Sequence, residues 1–193
     1  MRVATHFALW AVGLARAETQ TTEAERRALE QAVLGRRRVV EIGIWHGVTT
    51  ARLKAAMDAH GILYAVDPFK PGRLGVSFQA FIARREVARA RGATVRWVRK
   101  TGVDAAPIIA ADGPVEAVFI DGDHSYEGLE SDWLAWSDRV ARGGVIALHD
   151  SVSTPNRPID DAGSVRFTRE RVMVDPRFER AGLVDSVTLW RRR

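Results

Sequence analysis

The chain contains no cysteine, which excludes disulfides and thiolate metal sites and leaves the redox compartment open. Lysine is nearly as scarce: Lys54, Lys70 and Lys100 are the only ones, and arginine carries the rest of the basic charge. No apolar run approaches the ~20 residues of a bilayer span, so no membrane crossing is expected. Internal repeats and low-complexity tracts are missing too, which sets aside solenoids and disordered linkers. The N-terminus imitates an export signal, with Arg2, an apolar stretch over 7–14 and Ala15-Arg16-Ala17, but His6 and Arg16 interrupt that pattern. The expectation is a short amphipathic helix packed on the domain or on a second subunit, in a cytoplasmic protein.

What is present suits a globular enzyme-sized domain. The 193 residues are 46% hydrophobic and 27% charged, enough for one domain with a sizeable core. A formal charge of +5 and a pI near 10.3 raise the question of nucleic acid. The arginines are spread through the chain, apart from Arg36-Arg37-Arg38 and Arg191-Arg192-Arg193, so a nucleic-acid partner is disfavoured.

Taken in order, the chain alternates strand and helix signals. Thr22 and Glu25 form a capping-box pattern that opens a helix from about Glu23 to Leu34, closed by Gly35. The segment 1–35 is therefore read as an N-terminal helical region ahead of a domain over 36–193. Val39–Ile42 is a short buried strand, and Thr49–His60 a helix ended by Gly61. Ile62–Val66 and Thr94–Val98 read as the second and third strands, with a helix over about 77–90 between them. In that helix Phe78, Phe81 and Ile82 begin an apolar stripe, with Arg85 and Arg89 on the same side further along. Asp104–Ala111 reads as a short helix. Ala117–Ile120 and Val145–Leu148 are four-residue apolar runs of the kind buried on both faces of a parallel sheet. Between those two runs, Leu129, Trp133, Trp136 and Val140 form one helical stripe. After a loop over 152–163, a candidate lid, come a helix near 165–172 and a terminal hairpin of Phe178–Val184 and Val187–Arg192. The predicted fold is α/β: a doubly wound Rossmann-like sheet, mostly parallel, with an antiparallel C-terminal hairpin strand.

Ligands in such sheets bind beyond the carboxyl ends of the strands, which makes the strand ends the candidates. After the first strand comes Glu41-Ile42-Gly43-Ile44-Trp45-His46-Gly47, a turn able to bring backbone close to a ligand at a helix N-terminus. It lacks the dinucleotide fingerprint, because Trp45 stands where the middle glycine belongs. Asp67 ends the second strand, where an acid can accept hydrogen bonds from ribose hydroxyls or simply cap the turn before Pro68. Asp121 and Asp150 end the fourth and fifth strands, and two such carboxylates at one edge repel unless something neutralises them. A divalent cation such as Mg²⁺ suits that role. His124, three residues past Asp121, can take a proton near neutral pH. Asp123 and Ser125 are equally readable as helix caps, and His149 as a further ligand or, in preference, a supporting partner or packed residue.

The stretches VVEIGIWHGVTT, YAVDPF, VFIDGDHSYEG and GGVIALHDS occur in that order across 38–151. Together they resemble the class I S-adenosylmethionine-dependent methyltransferases, most of all the metal-dependent macrolide-sugar O-methyltransferase group that includes macrocin O-methyltransferase. The resemblance implies S-adenosyl-L-methionine held by Glu41, Gly43, Gly47, Thr49, Asp67, Gly102, Val103 and Asp121. It implies a divalent cation on Asp121 and Asp150, with Ser151 standing where catechol-type relatives carry asparagine. His124 takes the base position, with Asp121 beside it, and Asp123 is the runner-up. The implied reaction is methyl transfer to a hydroxyl of a small molecule, a sugar or polyol first and a phenol or catechol next. An NAD(P)-dependent oxidoreductase and a nucleic-acid-binding or RNA-modifying protein are the alternatives, and a homo-oligomer is left open.

Overall fold

The computed structural model describes residues 3–72 and 75–193. Its elements are α1 (Val3–Ala11), α2 (Glu23–Val33), β1 (Arg38–Ile42), α3 (Val48–Ala56), β2 (Ile62–Val66), α4 (Phe78–Arg89) and β3 (Thr94–Val98). They continue with α5 (Gly102–Ala110), β4 (Val115–Ile120), α6 (Tyr126–Trp136), β5 (Val140–Leu148), α7 (Gly163–Phe167), a π-helical turn over Thr168–Val172, β6 (Phe178–Val184) and β7 (Val187–Arg192). The strands form one seven-stranded sheet in the order β3-β2-β1-β4-β5-β7-β6. The first five are parallel, and β7 runs antiparallel to both of its neighbours.

The unbroken apolar strands are explained by burial on both faces. Val40, Val118 and Ile146 join the core under α5, α6 and α7, while Val39, Ala117 and Ala147 join the opposite core under α2 and α3. Successive residues point to opposite faces of a strand, so each strand feeds both layers. The tryptophan stripe of α6 is core: Trp133 and Trp136 are buried, and Trp136 Nε1 donates to the Gly102 carbonyl at 3.1 Å.

Several boundaries differ from the sequence reading. Helix α3 stops at Ala56, because Met57 turns to an extended conformation and the chain closes through Asp58 and Gly61. Strand β5 runs back through Gly143-Gly144 to Val140, with a register shift against β4 between Val115 and Ala117. Phe81 does not enter the main core. It remains 53% exposed and meets α1 instead, edge-on to Phe7 (5.5 Å) and Trp10 (6.1 Å). Helix α1 packs on α4, where Phe7 also stacks on Phe78 at 4.5 Å and Trp10 Nε1 donates to Glu86 at 3.0 Å. No described helix is long and apolar enough to cross a membrane.

Candidate active site

The carboxyl ends of β1, β2, β3 and β4 open into a cavity of about 700 Å³, a size suited to a cofactor or a drug-sized ligand. One wall is the turn after β1. Gly43 has φ +85°, and a Cβ there would run into the Asp121 carbonyl oxygen. Only glycine lets the β1 and β4 loops close on each other in this way. Asp67 then ties the turn to β2: the Ile44 N–H donates to Oδ2 at 3.0 Å and the Phe69 N–H to Oδ1 at 2.7 Å. Each carboxylate oxygen keeps a further lone pair for a ligand.

Glu41, Gly43, Thr49, Asp67, Gly102, Val103, Asp121 and His124 all line this cavity. Gly47 does not. Its φ of +75° caps α3, and its missing side chain makes room for Ala83 of α4. Glu41 is buried, and its Oε2 has no partner among the described residues. Burial, reinforced by the charges of Asp121 and Asp67, pushes its carboxyl up to about 8. Lining residues the sequence reading missed include Glu18, Thr19 and Gln20, from the segment between α1 and α2. Only the fold brings that segment over the sheet edge, through contacts such as Thr21 Oγ1 with Thr49 Oγ1 at 3.2 Å.

Asp121 is shared by two imidazoles. His124 Nε2 lies 3.4 Å from its Oδ1 and His149 Nδ1 lies 2.8 Å away. Burial alone would raise the Asp121 carboxyl, but the two histidines hold it below the ordinary carboxylate range. His149 is fully enclosed, with Glu25 Oε2 at 3.7 Å on its other side and Asp150 Oδ1 at 3.8 Å. Burial works against a proton on His149. The carboxylates of Asp121 and Glu25, with Asp150, outweigh it and push the imidazole up to about 10. Glu25 is a second residue the sequence reading left out of the site. Its Oε2 accepts the Thr22 N–H (2.8 Å), completing the capping box, while its Oε1 accepts from the backbone and side chain of Ser186. The capping box was visible; the two tertiary partners were not.

Asp150 and Ser151 do not join Asp121 as a set of oxygen ligands. Asp150 is held by a two-point ion pair with Arg157, which the loop after β5 folds back through its Thr154–Arg157 bridge. The Ser151 hydroxyl is buried against the terminal hairpin, 2.9 Å from the Leu148 carbonyl and 2.7 Å from Thr188 Oγ1. The group whose potential ligand atoms converge is Asp121, His124 and His149, all within 4.8 Å of one another. A second group with ligand atoms equally close is His6, Glu18 and His46, whose two rings stack at 5.0 Å and 8° and whose His46 Nδ1 already accepts the Glu18 N–H at 3.0 Å. Ser125 is the N-cap of α6, accepting the Gly128 N–H at 3.0 Å, and Asp123 braces it from the preceding turn by accepting the Ser125 N–H at 2.9 Å.

Strand order, the antiparallel seventh strand and a ligand-sized cavity at the carboxyl edge define the Rossmann-like methyltransferase fold. The chain belongs to the methyltransferase domain family, whose model matches residues 40–151. No curated protein matches its sequence significantly. Among solved structures it is similar to the O-methyltransferase from Bacillus cereus in complex with SAH, with 20% identity, 98% of this chain and 89% of that one covered, and a TM-score of 0.63. It is similar to the O-methyltransferase TomG from Streptomyces achromogenes, involved in tomaymycin synthesis and solved with SAM, at 18% identity, 98% and 88% coverage and a TM-score of 0.69. An rRNA methylase from Streptococcus thermophilus shares the fold at 12% identity, 91% and 99% coverage and a TM-score of 0.61.

Proposed function

We propose that the protein is an S-adenosylmethionine-dependent O-methyltransferase acting on a hydroxyl of a small molecule, a sugar or polyol before a phenol or catechol. The observation that carries this reading is the placement of His124, 3.4 Å from Asp121, on the same cavity wall system as the Gly43 turn and Asp67. Similarity to SAM- and SAH-bound O-methyltransferases supports the cofactor.

When bound, S-adenosylmethionine supplies a methyl group already activated on a sulfonium. The protein's task is to orient the acceptor oxygen and remove its proton. Asp67 would accept from the ribose hydroxyls with its remaining lone pairs, and Glu41 and Thr49 would hold the polar groups of the methionine part. Asp121 holds Nε2 of His124, which leaves Nδ1 as the nitrogen that takes the acceptor's proton. His149, protonated behind Asp121, keeps that carboxylate ionised and fixed. The experiment is methyl transfer from labelled donor to a panel of hydroxyl compounds. His124→Ala should lower the rate about 10²–10⁴-fold while leaving donor binding in place. An unchanged rate across pH would assign the base elsewhere.

Dependence on a divalent cation is a second reading, favoured by the convergence of Asp121, His124 and His149. One carboxylate and two imidazoles suit manganese or zinc better than magnesium. A cation there would lower the pKa of a hydroxyl placed beside it, but it would have to displace the proton of His149 and would occupy His124. Asp150 and Ser151 are the less favoured ligands, since Arg157 and the hairpin engage them. Chelation with EDTA separates the two readings. Full activity after chelation fits proton transfer to His124, whereas a loss restored by manganese or zinc fits the cation.

A further inference from the structure

Asp132 is a buried acid that the reaction outlined above does not use. It projects from α6 into the cavity, 6% exposed, on the face it shares with Gly128 and Ser131. Among the described residues neither of its oxygens meets a protein hydrogen-bond donor or a cation. In native structures a carboxylate in such a place, with no protein donor, is matched by water or by a ligand. Burial, followed by the charge of Asp123, pushes the Asp132 carboxyl up to about 6, so near neutral pH it is predominantly an acceptor.

Its position says what the missing donor belongs to. Asp132 Oδ1 sits over Gly102, where a Cβ would collide with it, and its Oδ2 is on the side of Gly122. The space over Gly102 is thus taken by the Asp132 carboxylate, and Gly102 and Val103, which line this corner of the cavity beside it, add no polar side chain of their own. The neighbouring hydroxyls are committed. Thr101 Oγ1 caps α5 by accepting the Asp104 N–H at 3.2 Å and bonds its carboxylate at 2.8 Å, while Ser131 donates to the Glu127 carbonyl at 2.7 Å. Ile42, Val66 and Val103 provide apolar wall around the same corner, the setting for a flat heterocycle. Asp67 and Asp132 line one cavity, so with the ribose on Asp67 this end is where the base of the cofactor would lie.

We infer that Asp132 is the base-reading residue of the cofactor site, accepting a hydrogen bond from the exocyclic 6-amino group of adenine. It confers preference for a 6-amino over a 6-oxo purine, because a 6-oxo group would set two acceptors against each other. Gly102 is required at this corner because it yields the space Asp132 occupies.

This inference rests on the S-adenosylmethionine reading, and the experiment separates the two. The affinities of S-adenosylhomocysteine and its 6-oxo analogue, S-inosylhomocysteine, are measured by calorimetry on the wild type, Asp132→Asn and Asp132→Leu. The wild type should favour the 6-amino ligand by about 10- to 100-fold. Asp132→Asn, whose amide can rotate to donate to the 6-oxo group, should narrow that ratio by improving 6-oxo binding. Asp132→Leu should lose affinity for the 6-amino ligand. Circular dichroism confirms that each variant is folded. If the wild type binds the 6-amino ligand but Asp132→Asn leaves the ratio unchanged, the role of Asp132 is overturned and the cofactor reading stands. If the wild type binds neither ligand, the cofactor reading falls and this inference with it.

Discussion

Asp121 is the residue on which the site's charge balance turns, and the balance reaches back to Glu25. Glu25 is buried, and burial would raise its carboxyl. The nearby His149 imidazole and the hydrogen bonds from Thr22 and Ser186 overcome that and bring it down to about 2 from 4.5. A depressed acid stabilises the fold above its unfolded value, so this contribution is present above pH 4.5 and lost as pH falls through about 2. His149 has the opposite sign. Its contribution is complete below 6.5 and lost as pH rises through about 10. Glu25→Gln should therefore flatten both limbs of the stability–pH curve, and lower stability near neutrality by about 3 kcal/mol. Urea unfolding across the two windows checks this, and limbs as steep as in the wild type would rule out the coupling. At this scale the sequence was informative where chemistry is local. The placement of Asp67, Asp121 and His124 on the cavity followed from strand ends. Partners separated by 161 residues, such as Glu25 and Ser186, could not be read from periodicity or spacing.

Among the elements, the β1–α3 turn constrains the site most. Gly43 is held at φ +85° against the backbone of Asp121, whereas Gly143 has a similar φ of +76° and open space around it. Gly43→Ala should cost about 3 kcal/mol or more, from the left-handed backbone and the collision together, and Gly143→Ala only about 1–2 kcal/mol. Denaturant midpoints of the two variants make the comparison, and equal losses would contradict the close approach. The strands were legible because double burial writes an unmistakable apolar run, as in Ala117–Ile120. Element ends were less so. Met57 leaves α3 a turn early because the chain must return through Gly61 to start β2, a tertiary demand that helix propensity does not record. Ser151 illustrates the same limit. Adjacent to Asp150, it looked available as a ligand, yet β7 packs beside β5 and takes its hydroxyl.

For the whole molecule, the seven-stranded sheet brings the ends of four strands to one cavity, and the N-terminal segment closes one side of it with Glu18, Thr19 and Gln20. The basic excess is dispersed in part into structural pairs, such as Arg157 with Asp150 and Arg177 with Asp175, rather than gathered as a single stripe. On the reading proposed above, this cavity binds an S-adenosyl ligand with its ribose on Asp67. The direct measurement is isothermal titration of S-adenosylhomocysteine into the wild type and Asp67→Ala. Binding by the wild type, weakened about 10- to 100-fold in the variant, is the predicted result. Absence of binding by the wild type, or undiminished affinity in Asp67→Ala, would contradict it.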